Sequence, residues 1–259
     1  NLMKFGNQLL LWSKNKSKAV QTLETDGSDT LTTLFTPSNQ IRSLRIAGNK
    51  IVYVLGTSSV NIFNIESKKN YEVYSGTSLQ DAVLINDNTI YVSKTATGRG
   101  DSPLISVNIQ TGETVPLKFP GDVAFSLSYD YGKDNSYVYG ISINSDENSS
   151  RTEVFSYNPK NGSRTMLLNL QSEDSDAFTS IKLPLVYTNI GKNQIRSFNT
   201  MSNKTTVYRR SASMPLKVAG SSDRLAVLNY NGSISWYSPV SQAVLADWYL
   251  TTEGEWFEF

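Results

Sequence analysis

At 259 residues, with 39% hydrophobic and 11% aromatic side chains, the chain has enough apolar material for a sizeable core and too much to stay disordered. Its 24 Lys and Arg against 23 Asp and Glu leave a net charge of +1, with no long block of either sign to attract nucleic acid or an anionic membrane. Cys and His are both absent, which excludes thiol chemistry, disulfides, zinc sites of the usual kind and histidine acid–base catalysis.

No apolar run approaches the roughly 20 residues needed to cross a bilayer, the nearest being residues 9–12. The chain begins at Asn1, as expected where a leader or a preceding domain has been removed. The lack of Cys suits an extracytoplasmic chain slightly better than a cytoplasmic one.

Helical periodicity is missing, and short runs of Val, Ile, Tyr and Phe are punctuated by Gly, Asn, Asp and Ser, which predicts an all-β chain. In chain order, one unit recurs: strand, tight turn, strand, loop, strand, polar turn, strand. The first unit, about residues 1–36, opens with a short strand over 2–5 and a second beginning at Gln8. The second, about 41–75, carries strands over 41–47, 50–55, 60–65 and 70–74, with Gly48-Asn49 as its first turn. The third, about 79–120, has strands over 81–85, 89–93, 104–109 and 114–119. The fourth to sixth units cover about 122–170, 177–210 and 213–248, and residues 249–259 remain as a closing or linking strand.

Repeats of roughly 40 to 50 residues suit four-stranded blades and exceed the period of hexapeptide or leucine-rich solenoids. The expectation is a single β-propeller domain over residues 1–259, of six four-stranded antiparallel blades, or seven if a strand or blade lies outside this sequence. Third strands share a rhythm: Asn61-Ile62-Phe63-Asn64, Ser106-Val107-Asn108, Ser156-Tyr157-Asn158 and Ser197-Phe198-Asn199. This rhythm resembles that of tryptophan-aspartate-repeat and quinoprotein-like propellers across the whole chain. The Gly-His and Trp-Asp dipeptides of the former are missing from the blade ends, where Asp247-Trp248 is inverted. The docking motifs and adjacent cysteines that accompany a quinone are missing too, so no cofactor is implied.

Three irregular stretches, residues 94–103, 144–152 and 171–176, are expected to share one face, since second-to-third loops and blade connections lie on the same side of such a fold. The first contains Gly98-Arg99-Gly100-Asp101-Ser102-Pro103, which is similar to the integrin-binding loop of fibronectin. That resemblance implies that Asp101 completes a receptor's metal coordination and Arg99 meets an acidic pocket. An ordinary glycine- and proline-containing turn explains the same residues. The other two stretches carry Asp146-Glu147 and Glu173-Asp174-Ser175-Asp176, acidic clusters without the ligand spacing of a calcium loop and best read as solvated charge. Asn15, Asn148, Asn161, Asn203 and Asn231 begin glycosylation sequons, relevant only on a glycosylating route.

Ser128-Tyr129-Asp130-Tyr131-Gly132 partly resembles the aspartate box of sialidase propellers but occurs once and lacks its Trp. Tyr129, Tyr131, Tyr137 and Tyr139 read as blade packing. The functional expectation is therefore a non-catalytic protein–protein interaction scaffold without metal, whose expected partner-binding residues are Arg99, Asp101, Asp146, Glu147, Glu173, Asp174 and Asp176. The alternatives are a surface adhesin using Arg99-Gly100-Asp101 and a glycosidase-type enzyme, the latter requiring a group of buried carboxylates with Arg.

Overall fold

The computed structural model of the chain describes residues 2–5, 8–12, 19–24, 30–98, 100–133, 136–146, 149–170, 179–182, 185–190, 194–199, 201–208, 213, 215–220, 224–250 and 256–258. Every regular element among the described residues is a strand, and the strands form six antiparallel sheets, each from segments consecutive in sequence.

The first sheet holds β1 (Leu2–Phe5), β2 (Gln8–Leu11), β3 (Val20–Glu24) and β4 (Leu31–Phe35). The second holds β5 (Ile41–Ala47), β6 (Lys50–Leu55), β7 (Ser59–Asn64) and β8 (Lys69–Ser75), and the third β9 (Leu79–Asn86), β10 (Thr89–Lys94), β11 (Leu104–Asn108) and β12 (Thr114–Pro116). The fourth holds β13 (Val123–Ser128), β14 (Val138–Asp146), β15 (Ser149–Tyr157) and β16 (Arg164–Leu170). The fifth holds β17 (Thr179–Lys182), β18 (Leu185–Ile190), β19 (Gln194–Asn199) and β20 (Lys204–Val207). The sixth holds β21 (Pro215–Gly220), β22 (Leu225–Asn229), β23 (Ile234–Tyr237), β24 (Val244–Leu250) and β25 (Trp256–Glu258).

Three expectations need correction. Among the described residues the four-stranded blade occurs five times rather than six or seven, because the sixth sheet has five strands. Its extra strand, β25, comes from the segment expected to close or link the fold, and it pairs with β24 through Trp248↔Glu258, Tyr249↔Phe257 and Leu250↔Trp256. An open outer edge offers a row of main-chain donors and acceptors, which a nearby extended segment of the same chain satisfies. The described residues of the 144–152 stretch are strand rather than irregular loop: β14 runs to Asp146 and β15 starts at Ser149, so pairing overrides the poor strand propensity of this Asn-, Ser- and Asp-rich stretch. In the third sheet β12 is only three residues long and ends at Pro116, which has no N–H to continue a ladder.

The chain divides into two compact units, Asn1–Ser149 with Ser156–Thr165 and Ser150–Phe155 with Met166–Phe259. In the first unit, alternation along β6 shows how each sheet is covered on both sides. Ile51 and Tyr53 join Leu10, Val20, Leu44 and Phe63 in one core, while Val52 and Val54 join Leu79, Leu84, Ile90 and Val92 in another. A strand buried on both faces must read as an unbroken apolar run, which is what Ile51–Leu55 shows within β6. The second unit has its own core of Tyr187, Ile195, Tyr208, Val218, Leu225, Val227 and Tyr237.

The third-strand rhythm has a local cause. Asn64, Asn108, Asn158 and Asn199 each turn the side-chain carbonyl onto backbone N–H groups two or three residues ahead: Ser67 at 2.9 Å, Gln110 at 2.9 Å, Lys160 at 2.9 Å and Met201 at 2.9 Å. The Ser238 hydroxyl oxygen accepts from the Ser241 N–H in the same way at 3.1 Å. Four residues after each capping side chain the backbone takes a positive φ, at Lys68 (56°), Gly112 (73°), Gly162 (70°), Asn203 (54°) and Gln242 (58°). One side chain therefore sets the turn into the fourth strand in five sheets, by the mechanism that favours Asn and Ser in turns generally.

Candidate functional site

The segment between β10 and β11 contains the Arg99-Gly100-Asp101 stretch. It is tied at its base by Lys94 N–H to the Pro103 carbonyl (2.9 Å), Thr95 N–H to Ser78 (3.0 Å) and Ala96 N–H to Asp122 (2.6 Å). Asp101 closes it from within. Its carboxylate accepts from Lys94 Nζ at 2.8 Å on each oxygen, and from the Thr97 N–H and hydroxyl at 3.0 Å each. Lys94, the Thr97 amide and the Thr97 hydroxyl together hold the Asp101 carboxyl at a pKa of about 2. The carboxylate that the sequence offered to a receptor metal thus accepts four hydrogen bonds inside its own loop. Gly98 and Gly100 form the exposed apex, and a Cβ at either would meet nothing within 4 Å.

Of the other expected site residues, Asp146 is the last residue of β14. Arg99, Glu147, Glu173, Asp174 and Asp176 lie outside the described residues.

Among the described residues, Asp81 is the buried carboxylate, with a side chain 3% exposed. It stands on β9 between β5 and β13. Arg45 Nη2 donates to its Oδ2 at 2.5 Å, Leu127 N–H to the same oxygen at 2.8 Å, and Ala82 N–H to Oδ1 at 2.9 Å. Arg45 also reaches the Leu127 carbonyl (2.8 Å) through Nε and its own neighbour's carbonyl at Leu44 (3.0 Å) through Nη1. These bonds join the first strands of three consecutive sheets, and they use Asp81 and Arg45 as a structural clamp.

Near the other end of β10 a cleft of about 440 Å³ opens within the first compact unit. Its lining includes Thr89 and Tyr91 from β10, Tyr129, Lys133 and Ser136 from the connection after β13, and Lys160 from the turn after β15. That connection is held by Tyr131, whose hydroxyl donates to Asp87 at 2.8 Å while Lys50 Nζ binds the same carboxylate oxygen at 2.5 Å. Tyr131 lies against Gly48, where a Cβ would fall 3.3 Å from its ring and the backbone φ is +59°. Gly48 is required on both counts. Ser136 donates to the carbonyls of Asp130 and Lys133 at 3.0 Å, folding the connection back on itself.

The tyrosines of this cleft are phenols, not phenolates, at neutral pH. Burial, together with Tyr157 and Tyr129, pushes Tyr91 up to about 12, and burial raises Tyr129 and Tyr157 as well. Tyr91 and Tyr157 meet edge to face with ring centroids 5.9 Å apart. The sequence singled out Tyr129 and Tyr131 as packing residues. Tyr131 does pack between turns and Tyr129 lines a cleft; the sequence signals for Tyr129 were the density of Tyr at a strand end and the partial aspartate box.

Comparison with known proteins places these features on a recognisable scaffold. A family model described as "Uncharacterised protein" matches residues 180–251, a stretch that spans most of the fifth and sixth sheets. An "Uncharacterized protein" of Treponema pallidum (strain Nichols) is 28% identical over 87 residues, which are 34% of this chain and 95% of that protein. Among solved structures, the computationally designed Ika8 protein matches 95% of this chain and 85% of its own, with a TM-score of 0.65 and 12% identity. A chain in the S. cerevisiae structure of Dbp5 bound to Nup159, Gle1, IP6 and ADP matches 91% of this chain and 74% of its own, with a TM-score of 0.55 and 12% identity. At such identity the likeness is one of fold alone: a propeller-like arrangement of antiparallel sheets.

Proposed function

We propose that the chain is a non-catalytic scaffold for a protein partner and that the 94–103 loop presents the contact surface. The observation that carries this is the loop's internal closure: the Asp101 carboxylate, held by Lys94 and Thr97, fixes the backbone while the Gly98 and Gly100 apex stays exposed. A loop already ordered before binding loses less conformational entropy when a partner engages it. On this reading Asp101 shapes the surface, and the exposed apex makes the contact.

A photo-crosslinking side chain in place of Gly98, whose Cβ position is open, tests the surface in the native cell. The expected result is a protein adduct whose yield falls when Lys94→Ala loosens the loop. Absence of any protein adduct at this position, with the protein folded, removes the reading.

A further inference from the structure

We propose that Arg42 anchors the protein partner by gripping an Asp or Glu side chain of an extended segment, beside the base of the 94–103 loop. The inference rests on the scaffold reading and adds the chemistry of the partner. Arg42 is exposed and is the extra residue of a bulge in β5, where Ile41 pairs with Leu55 and Ser43 with Val54. Gln80 holds the same position in β9, between Leu79, opposite Lys94, and Asp81, opposite Ser93. Bulges re-aim side chains. Here the two bulged side chains meet across neighbouring sheets, and Arg42 Nη2 donates to Gln80 Oε1. The Gln80 amide is oriented from its other end, where Nε2 donates to the Thr95 hydroxyl at 3.0 Å and to the Ser78 carbonyl at 3.3 Å. Arg42 is thereby tied through one nitrogen to the loop base, and among the described residues no carboxylate pairs with it. Arg45, three residues on, spends all three of its nitrogens on Asp81, Leu127 and Leu44.

The surface around Arg42 is ordered and otherwise uncharged. Residues 36–42, 56–59 and 76–80 carry one charge between them, that of Arg42, among Ser, Thr, Asn, Gln and Gly. Main-chain bonds stitch these segments together: Gly56 N–H to the Gln40 carbonyl (2.7 Å), Gly76 N–H to Ser58 (2.9 Å) and Leu79 N–H to Thr57 (3.0 Å). Thr95 N–H to the Ser78 carbonyl carries the same ribbon on to the 94–103 loop, where Lys94 and Asp101 already neutralise each other. A single unpaired cation in such a field selects a negative group on the partner, and the remaining guanidinium N–H donors suit a carboxylate. Hydroxyls and amides on either side suit the main chain of an extended segment. Because Gln80 and the stitched loops hold these groups before binding, little ordering is left to oppose it.

Binding of the whole chain to an array of random-sequence peptides, blocked at both ends, tests it. Retained peptides are expected to be enriched in Asp and Glu, most strongly at low salt. Arg42→Gln is expected to weaken their binding about tenfold with thermal melting unchanged, and Arg42→Lys to keep the acidic preference at lower affinity. Arg42→Glu is expected to turn the preference toward Lys and Arg, and Gln80→Glu, which sets a competing carboxylate beside Arg42, to abolish the acidic enrichment. The proposal is overturned if no peptide is retained, if the retained peptides show no acidic enrichment, or if Arg42→Gln binds them as tightly as the parent. Arg42-dependent retention on phosphatidylserine vesicles with no acidic peptide selected overturns it in favour of a membrane surface. Crosslinking from position 98 separates the two readings. An adduct whose yield Arg42→Gln leaves unchanged overturns this inference and keeps the scaffold, whereas acidic selection on the array without any adduct keeps the Arg42 site and removes the 94–103 surface.

Discussion

Asp81 and Asp101 are held in nearly the same way, by one basic side chain and by backbone amides, yet they belong to different kinds of structure. Asp81 is 3% exposed and joins the first strands of three sheets, whereas Asp101 is 26% exposed and joins only residues of its own loop. Desolvation makes the difference. A carboxylate inside the sheets is costly unless every bond is made, so it constrains the whole unit, while one at the surface is screened and constrains a few residues.

The comparison can be broken most directly at Asp81. Asp81→Asn leaves Arg45 without its charge partner and is expected to cost about 3 kcal/mol, read from urea unfolding of the parent and variant. A loss below about 1 kcal/mol would mean that the clamp is incidental. Asp101→Asn is expected to cost about 1 kcal/mol, with the change confined to amide exchange within residues 94–103.

Acid acts on the Asp101 contacts. The Asp101 carboxyl titrates at about 2 in the folded chain against an ordinary value of 3.8. Its stabilisation is therefore complete above pH about 4 and is lost as the pH falls toward 2. Melting temperature measured across that window is expected to fall less steeply in Asp101→Asn than in the parent.

Smaller effects lie in the turns, where commitment and tolerance again separate. Gly112→Ala places a side chain at φ 73° and is expected to cost about 1 kcal/mol. Lys68→Gly relieves the same conformation at φ 56° and is expected to gain about 0.5 kcal/mol, since released strain is partly offset by the greater freedom of glycine in the unfolded chain. Thermal melting of the two variants side by side checks the signs.

Much of the fold was legible because its signals are local. Period-2 runs placed the strands of the second and third sheets to within a few residues, and the Asn at the end of the third strand of four sheets was visible as a rhythm before its capping bond gave the reason. The hairpin at 144–152 was missed because its Asn, Ser and Asp residues favour loops, and only pairing between β14 and β15 reverses that preference. The candidate site was legible in part. Irregularity picked out the 94–103 loop and the resemblance to the fibronectin integrin-binding loop picked out Asp101, but whether that carboxylate faced outward or inward depended on where Lys94 and Thr97 came to stand. Nothing in the chain order joins Tyr91, Lys133 and Lys160, which come from a strand of the third sheet and two separate connections of the fourth.

By itself, then, the sequence determined an all-β chain of repeated antiparallel units, because strand alternation and turn chemistry act over a few residues. The tertiary structure alone decided that the closing segment pairs with β24, that Asp81 is buried against Arg45 and that a cleft forms at Tyr129. The last two depend on segments brought together from far apart in the chain, where desolvation and packing act between residues that no local pattern connects.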